Sequence, residues 1–313
     1  MKVSVVVCTY SPEAFDHFVD AANSVLAQTH DDVELVVVVD GDETLAERVR
    51  ARYGTHDAVR IHCNDENRGL SASRNVGIDL ASGDVVAFMD DDAVAHPDWV
   101  ERLVACYRDH DAVAAGGRMA PRWVAGEPAF LPAEFYWLVG VTHRGFPTEA
   151  CEVRNTFGSN ISFRREVFEE VGVFEPDLGR AGEKNLQGEE TEFAARVRRQ
   201  FGQGVWYDPD AVVEHKVFDY RTDPRWLFER AFWQGYSKRV MADVLPDDGE
   251  DPGGDVDEES AFLRRLAFEF GPERLRGLVR RPRRAEALQF VTLGALTATV
   301  GVGYLYATLD RLR

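Results

Sequence analysis

Four short runs of β-branched and apolar residues fall within the first ninety positions, at 3–8, 34–39, 59–63 and 85–89. Their apolar character is nearly continuous rather than alternating, which suits strands covered on both faces of a parallel sheet. Helical-length segments separate them, at about 14–27, 44–53 and 71–81. Strand–helix alternation at this spacing predicts βαβ units with right-handed crossovers, an α/β fold. A helix is expected at 97–108, with Pro97 in its first turn. Further on, strands are expected at 113–118, 161–163, 205–207 and 211–214, and helices at 165–171, 189–200 and 224–240. Residues 122–155 are irregular and aromatic.

The fourth run ends abruptly as VVAFMDDD, five apolar residues followed by Asp90, Asp91 and Asp92. In open α/β sheets, ligands bind beyond the carboxyl ends of the strands. Crowded carboxylates repel one another, so a divalent cation is their natural occupant, a solvated acidic turn being the alternative. If the chain stays extended, Asp90 and Asp92 face the same way. Mg²⁺ or Mn²⁺ would take their oxygens and keep positions open for phosphate. Asp40 ends the second run as VVVVDGD, at the same sheet edge. Residues 67–77, NRGLSASRNVG, set Gly69 and serines at a loop-to-helix junction, where backbone N–H groups with Arg68 and Arg74 favour anions. Helix capping by Ser71 is the plainer account of that stretch.

The formal charge is −18, which argues against nucleic-acid binding. Only 4 of the 36 basic residues are lysine, and acidity with so little lysine is typical of proteins from salt-loaded cytoplasms. Four cysteines (Cys8, Cys63, Cys106 and Cys151) stand singly, as reduced thiols do. The chain opens directly as a strand, with no signal-peptide pattern.

Taken together, VSVVVCTY at the start, Asp40, NRGLSASRNVG, MDDD (89–92), GSNISFRREVFEEVGVFEP (158–176) and GEETEF (188–193) resemble glycosyltransferase family 2. The resemblance covers about residues 1–240. It implies a GT-A fold, a Rossmann-like, mostly parallel sheet flanked by helices, with a nucleotide-sugar donor, most readily a UDP-sugar. It also implies a divalent metal on the diphosphate and inversion at the anomeric carbon. By position, Thr9, Tyr10 and Asp40 would hold the nucleoside, with Asn67, Arg68, Gly69, Arg74, Asp90 and Asp91 completing the donor site. Asp90 and Asp92 match the DXD element, Asp92 being the direct metal ligand. His215 resembles a histidine that some GT-A enzymes use as a further ligand. The family places an aspartate as base where this chain has Glu190, and Glu189 is the reserve. Asn160 and Arg164 fall in the segment near donor sugar or acceptor. Arg230, Trp233 and Gln234 are further acceptor candidates.

Residues 247–259 hold eight acids, glycines and a proline, the composition of a disordered linker. The domain layout expected is a 1–240 catalytic domain, a 241–260 acidic linker, a 261–287 arginine-rich segment and a 288–309 apolar helix. Residues 261–313 carry ten arginines and four acids, net +6, leaving −24 on residues 1–260. The 22 residues 288–309 are uncharged and suit a membrane span, or a buried or interfacial helix. Arg280, Arg281, Arg283 and Arg284 precede it, so the positive-inside rule puts the catalytic domain on the cytoplasmic face of the cell membrane.

A sugar-nucleotide site with an apolar tail suggests a lipid-linked acceptor. Here the resemblance extends to archaeal enzymes that build dolichyl-phosphate-linked glycans for N-glycosylation of surface-layer proteins. Among them it looks most like the hexuronic acid (glucuronosyl) transferases. Association with other glycan-assembly enzymes is a further expectation. The alternatives are a polyprenyl-phosphate sugar synthase, which needs no base, a noncatalytic carbohydrate-binding scaffold and, well behind, a sugar nucleotidyltransferase.

Overall fold

The computed structural model describes residues 1–176, 188–244, 255–280 and 283–310. They form two compact units, one of residues 1–122 and 147–216, the other of 123–146 and 217–313.

In the first unit, β1 (Val3–Thr9), β2 (Val33–Asp40), β3 (Val59–Asn64) and β4 (Val85–Asp90) pair in parallel, in the order β3-β2-β1-β4. The crossovers are α1 (Phe15–Leu26), α2 (Glu43–Tyr53) and α3 (Leu70–Leu80). A short β5 (Ala93–Ala95) and α4 (Trp99–Asp109) follow. The strands β6 (Ala114–Trp123), β7 (Cys151–Val153), β8 (Ile161–Arg164) and β9 (Val205–Val217) extend the sheet past β4. β8 is antiparallel to both β4 and β6, and β9 is antiparallel to β5 and β7. Two more helices, α5 (Arg165–Val171) and α6 (Glu189–Phe201), pack beside them.

Val5, Val6, Val7 and Leu35–Val39 are buried without alternation, as strands covered on both faces require. β3 departs from that expectation. It is the sheet's edge strand, and its side chains alternate between exposed and partly covered. The helix after β5 starts at Trp99, with Asp98 as its N-cap, so Pro97 precedes the first turn instead of occupying it. The strands expected at 205–207 and 211–214 are one 13-residue strand. Its first part pairs with β7 and its last with β5, and the polar Asp208-Pro209-Asp210 between them broke the apolar pattern.

Aromatic rings close the core beneath the strand ends. Phe163 and Phe193 meet edge to face at 4.9 Å, and Phe88 meets Phe174 likewise at 5.2 Å. Such pairs add about 0.5–1.5 kcal/mol beyond their area burial.

The second unit is helical: α7 (Pro224–Val244), α8 (Asp255–Arg265), α9 (Gly271–Arg280) and α10 (Arg284–Asp310), with a one-turn π segment at Leu266–Phe270 and 3₁₀ turns at Ala133–Val139 and Asp219–Thr222. The acid-rich stretch therefore begins α8 at Asp255, while 245–254 and Arg281 lie outside the described residues. On α10 the buried residues Leu293, Leu296, Gly303 and Ala307 share one face, and α7 packs against it antiparallel. Gly235 and Gly303 permit that approach. A Cβ at 235 would stand 1.9 Å from the Val300 carbonyl oxygen, and one at 303 would stand 2.0 Å from that of Phe232.

Glu134, fully buried, pairs with Arg144 at 3.1 Å and accepts from Arg274 Nε at 2.9 Å. Arg274 also donates to Gln289 Oε1 at 2.7 Å, and Gln289 donates to the Ala129 carbonyl at 3.2 Å. The amide that dilutes the apolar helix thus has a polar seat.

Phe193→Ala removes a fully buried ring that touches three others. Chemical denaturation should show a loss of about 3–5 kcal/mol, the usual cost of a phenylalanine-sized hole. A loss under about 1 kcal/mol would mean that the cluster is not a closed core.

Candidate active site

The carboxyl ends of β1, β2 and β4 lie side by side, since Cys8 pairs with Asp90 and Thr9 with Val39. The triplet leaves β4 in a turn, and the chain re-enters the sheet as β5, where Ala93 pairs with His215 of β9. The Lys216 backbone N–H donates to the Asp92 carbonyl at 3.0 Å, which fixes that register. His215 Nε2 lies 3.3 Å from Asp92 Oδ1.

Ligand atoms of Asp90, Asp92 and His215 all lie within 4.8 Å of one another. A six-coordinate Mg²⁺ or Mn²⁺ with bonds near 2.1 Å separates opposite ligands by about 4.2 Å, so small side-chain adjustments bring the three onto one ion. Two carboxylates and one imidazole suit such a cation, and three remaining positions are left for phosphate or water. Asp91, between them, is pushed up to about 7 by burial and by Asp92 and Asp90, with the Thr9 hydroxyl pulling the other way.

Arg74, only 4% exposed, points inward from α3. It donates to Asp90 Oδ1 at 3.2 Å, to the Gly158 carbonyl at 3.1 Å and to Glu189 Oε1 at 3.4 Å. Its guanidinium sits 5.8 Å from the ring centres of both Phe88 and Phe174. Burial works against its charge, but Asp90, Glu189 and Glu190 outweigh that and raise its pKa. Glu190 accepts from the Gly158 N–H at 3.3 Å. Enclosure in the protein and the neighbouring Glu189 carboxylate push Glu190 up to about 7, against the pull of Arg74.

The other expected residues are placed as follows in the structure. Asp40 is buried, and its carboxylate accepts from the Arg68 N–H at 2.9 Å, the Gly69 N–H at 2.8 Å and Asn64 Nδ2 at 2.8 Å. It therefore holds the 67–69 loop at the start of α3, where Gly69, not Ser71, is the N-cap. The buried Ser71 hydroxyl has no partner among the described residues. Asn67 and Arg68 stay exposed, and Tyr10 presents 65% of its surface beside the β1 end.

Asn160 and Arg164 are both engaged within the protein. Asn160 is fully buried, accepts from Trp99 Nε1 at 2.8 Å and donates to the carbonyls of Arg118 and Ala211, so its amide is spent inside the sheet. Arg164 pairs with Val85, at the start of β4 rather than its end, and donates to the carbonyls of Ala112 and Tyr107. Arg230, Trp233 and Gln234 lie on α7, in the second unit.

Sequence reasoning missed Gly158, Ser159 and Asn64. Ser159 Oγ accepts from the Asp90 N–H at 2.9 Å, and Asn64 also donates to Ser73 Oγ at 3.0 Å. The small pair Gly158-Ser159 just ahead of a strand was the available signal. All four cysteines are free, as expected.

Residues 4–172 match the family model described as glycosyl transferase family 2. The chain belongs to that family. It is therefore a glycosyltransferase. A glucosyl-dolichyl phosphate glucuronosyltransferase of Haloferax volcanii is 50% identical over 310 residues, 99% of this chain and 97% of that protein. Among solved structures, the mannosyltransferase PcManGT from Pyrobaculum calidifontis in complex with GDP-Man and Mn²⁺ superimposes with a TM-score of 0.63 at 17% identity, over 97% of this chain and 87% of that one. S. aureus TarS 1–349 with UDP-GlcNAc gives 0.56 at 19% identity, over 96% and 82%. These two likenesses bear out the expected GT-A fold.

Gly158→Ala tests the junction between Arg74 and Glu190. The added methyl would stand 2.9 Å from Arg74 Nη2 and Glu190 Oε1, both at the ends of side chains that can swing away. Thermal stability should hardly change while donor turnover falls at least tenfold, as small misplacements of reacting groups do. Unchanged turnover would show that this contact does not set the site.

Proposed function

We propose that the chain transfers glucuronate from UDP-glucuronate to glucosyl-dolichyl phosphate, inverting the anomeric carbon, in assembly of a lipid-linked glycan for protein N-glycosylation. The sugar and the acceptor follow the name of the 50%-identical relative, and the UDP carrier follows the family resemblance. One observation carries the chemical part of the reading. A cation-ready cluster, Asp90, Asp92 and His215, is linked through Arg74 to a glutamate pair in which Glu190 is raised to about 7.

In this reading the exposed Tyr10 ring stacks on the base. Thr9 and the loop held by Asp40 form the rest of the nucleoside pocket, and the open N–H groups of α3 face the diphosphate. A divalent ion on Asp90, Asp92 and His215, when bound, offsets the charge that builds on the departing diphosphate. Glu190 takes the proton from the acceptor hydroxyl as that oxygen bonds to the anomeric carbon and the bond to UDP breaks. Glu189 keeps Arg74 in place. A carboxylate raised toward neutrality is a stronger base than a free glutamate, which is what an alcohol nucleophile needs and a bare lipid phosphate does not. The apolar helix and its arginines suit association with the cytoplasmic face of the membrane that carries the lipid acceptor.

A donor panel of UDP-glucuronate, UDP-glucose and GDP-mannose, offered with dolichyl phosphate or glucosyl-dolichyl phosphate, tests the assignment by mass spectrometry of the product. The expected product forms only from UDP-glucuronate and the glucosylated lipid. Transfer to bare dolichyl phosphate would make the chain a lipid-phosphate sugar synthase instead.

The base works deprotonated, so the transfer rate should climb as pH rises through about 7 and level off above it. Glu190→Gln should keep UDP binding yet lose transfer by roughly 10²–10⁴-fold. A flat pH profile, or an undiminished rate in that variant, would move the base elsewhere.

A further inference from the structure

The helix α10 has the length and apolarity to cross a membrane. Its packing points to a different arrangement. We propose that α10 lies flat in the headgroup region of an anionic lipid bilayer, without crossing it, and that the arginines just before it bind the lipid phosphates.

The first ground is its neighbour. Helix α7 runs antiparallel along the buried face of α10. At Gly235 and Gly303 the two backbones touch, and Tyr236 Oη bonds to Asp310 at 3.2 Å. α7 carries Arg225, Glu229, Arg230, Lys238 and Arg239 along its length. If α10 spanned, α7 would be drawn into hydrocarbon, where central charges are strongly disfavoured. At the interface those charges stay clear of the hydrocarbon while the apolar contact between the helices stays intact.

The second ground is the opposite face of α10. Leu288, Val291, Val302, Leu305 and Leu309 are each more than half exposed. At 100° per residue they fall within an arc of about 100°, so they form one outward stripe. The hydroxyls of Thr297, Thr299 and Thr308 donate back to carbonyls four residues earlier, so these groups need no water. An apolar stripe along a 27-residue helix is far larger than the isolated exposed leucines common on soluble proteins.

The third ground is charge. Leu275 and Val279 of α9 are exposed one turn apart, next to exposed Arg276 and Arg280, and Arg283 and Arg284 follow at the start of α10. Phe268, 82% exposed, precedes them. Basic residues interleaved with apolar ones are the pattern of a helix resting on anionic lipid. Residues 1–260, at −24, are repelled by such a surface, so the attraction comes from the +6 segment.

The test uses the purified full-length chain and protein-free vesicles, so it does not depend on the sugar assignment. Flotation with phosphatidylglycerol-containing vesicles should recover the protein, and pure phosphatidylcholine should recover less at low salt. Epitopes at both ends should be digested by protease added outside the vesicles, because no part of the chain crosses. Protection of the C-terminal epitope alone would overturn the proposal in favour of a span. Val302→Asp combined with Leu305→Asp should weaken partition at least about tenfold with unchanged circular dichroism. Partition as strong as that of the unaltered chain would likewise overturn it. Arg280→Glu with Arg283→Glu should abolish the preference for anionic vesicles, and a retained preference would remove the phosphate contacts from the proposal.

Discussion

Arg74 is the group on which the first unit's site depends. A buried guanidinium is tolerable only where anions surround it, and Asp90, Glu189 and Glu190 supply them. Conversely, three carboxylates this close are tolerable only with a cation among them. The arginine thus keeps Asp90 and the glutamate pair near one another while preventing their mutual repulsion from forcing them apart. Removing its charge leaves those acids uncompensated, and such losses are severe in buried networks.

Around that ion pair the fold divides the work. The parallel strands deliver Thr9, Asp40 and Asp90 to one edge because their carboxyl ends are in register. β9, entering antiparallel through β5, adds His215 from 123 positions beyond Asp92. The glutamates come from the first turn of α6. Backbone register, not loop packing, sets where Asp90, Asp92 and His215 meet.

The strand–helix alternation, the acid-tipped fourth strand and the glutamate pair were legible in the sequence, because each rests on a local pattern: β-branched runs, clustered charge, acids opening a helix. Arg74 was legible as a cation but not as a buried one, since nothing local says which way a helical arginine points. Asp40 was read as a ligand group, yet its carboxylate organises the next loop. Asn160 and Arg164 were legible by residue type but not by placement. The antiparallel return of β8 seats the first inside the sheet and pairs the second with Val85 at the start of β4. Such outcomes depend on pairing between distant segments, which one sequence does not display.

Gln289 has a consequence of its own. The close contact at Gly235 and Gly303 fixes α10 near its C-terminal half, while the turns around Gln289 are mostly apolar and discriminate little between one rotation and the next. A single amide seated between Arg274 and the Ala129 carbonyl adds a second fixed point at the other end. It works as a detent, holding the phase of the rod along its length and with it the row of side chains that faces outward.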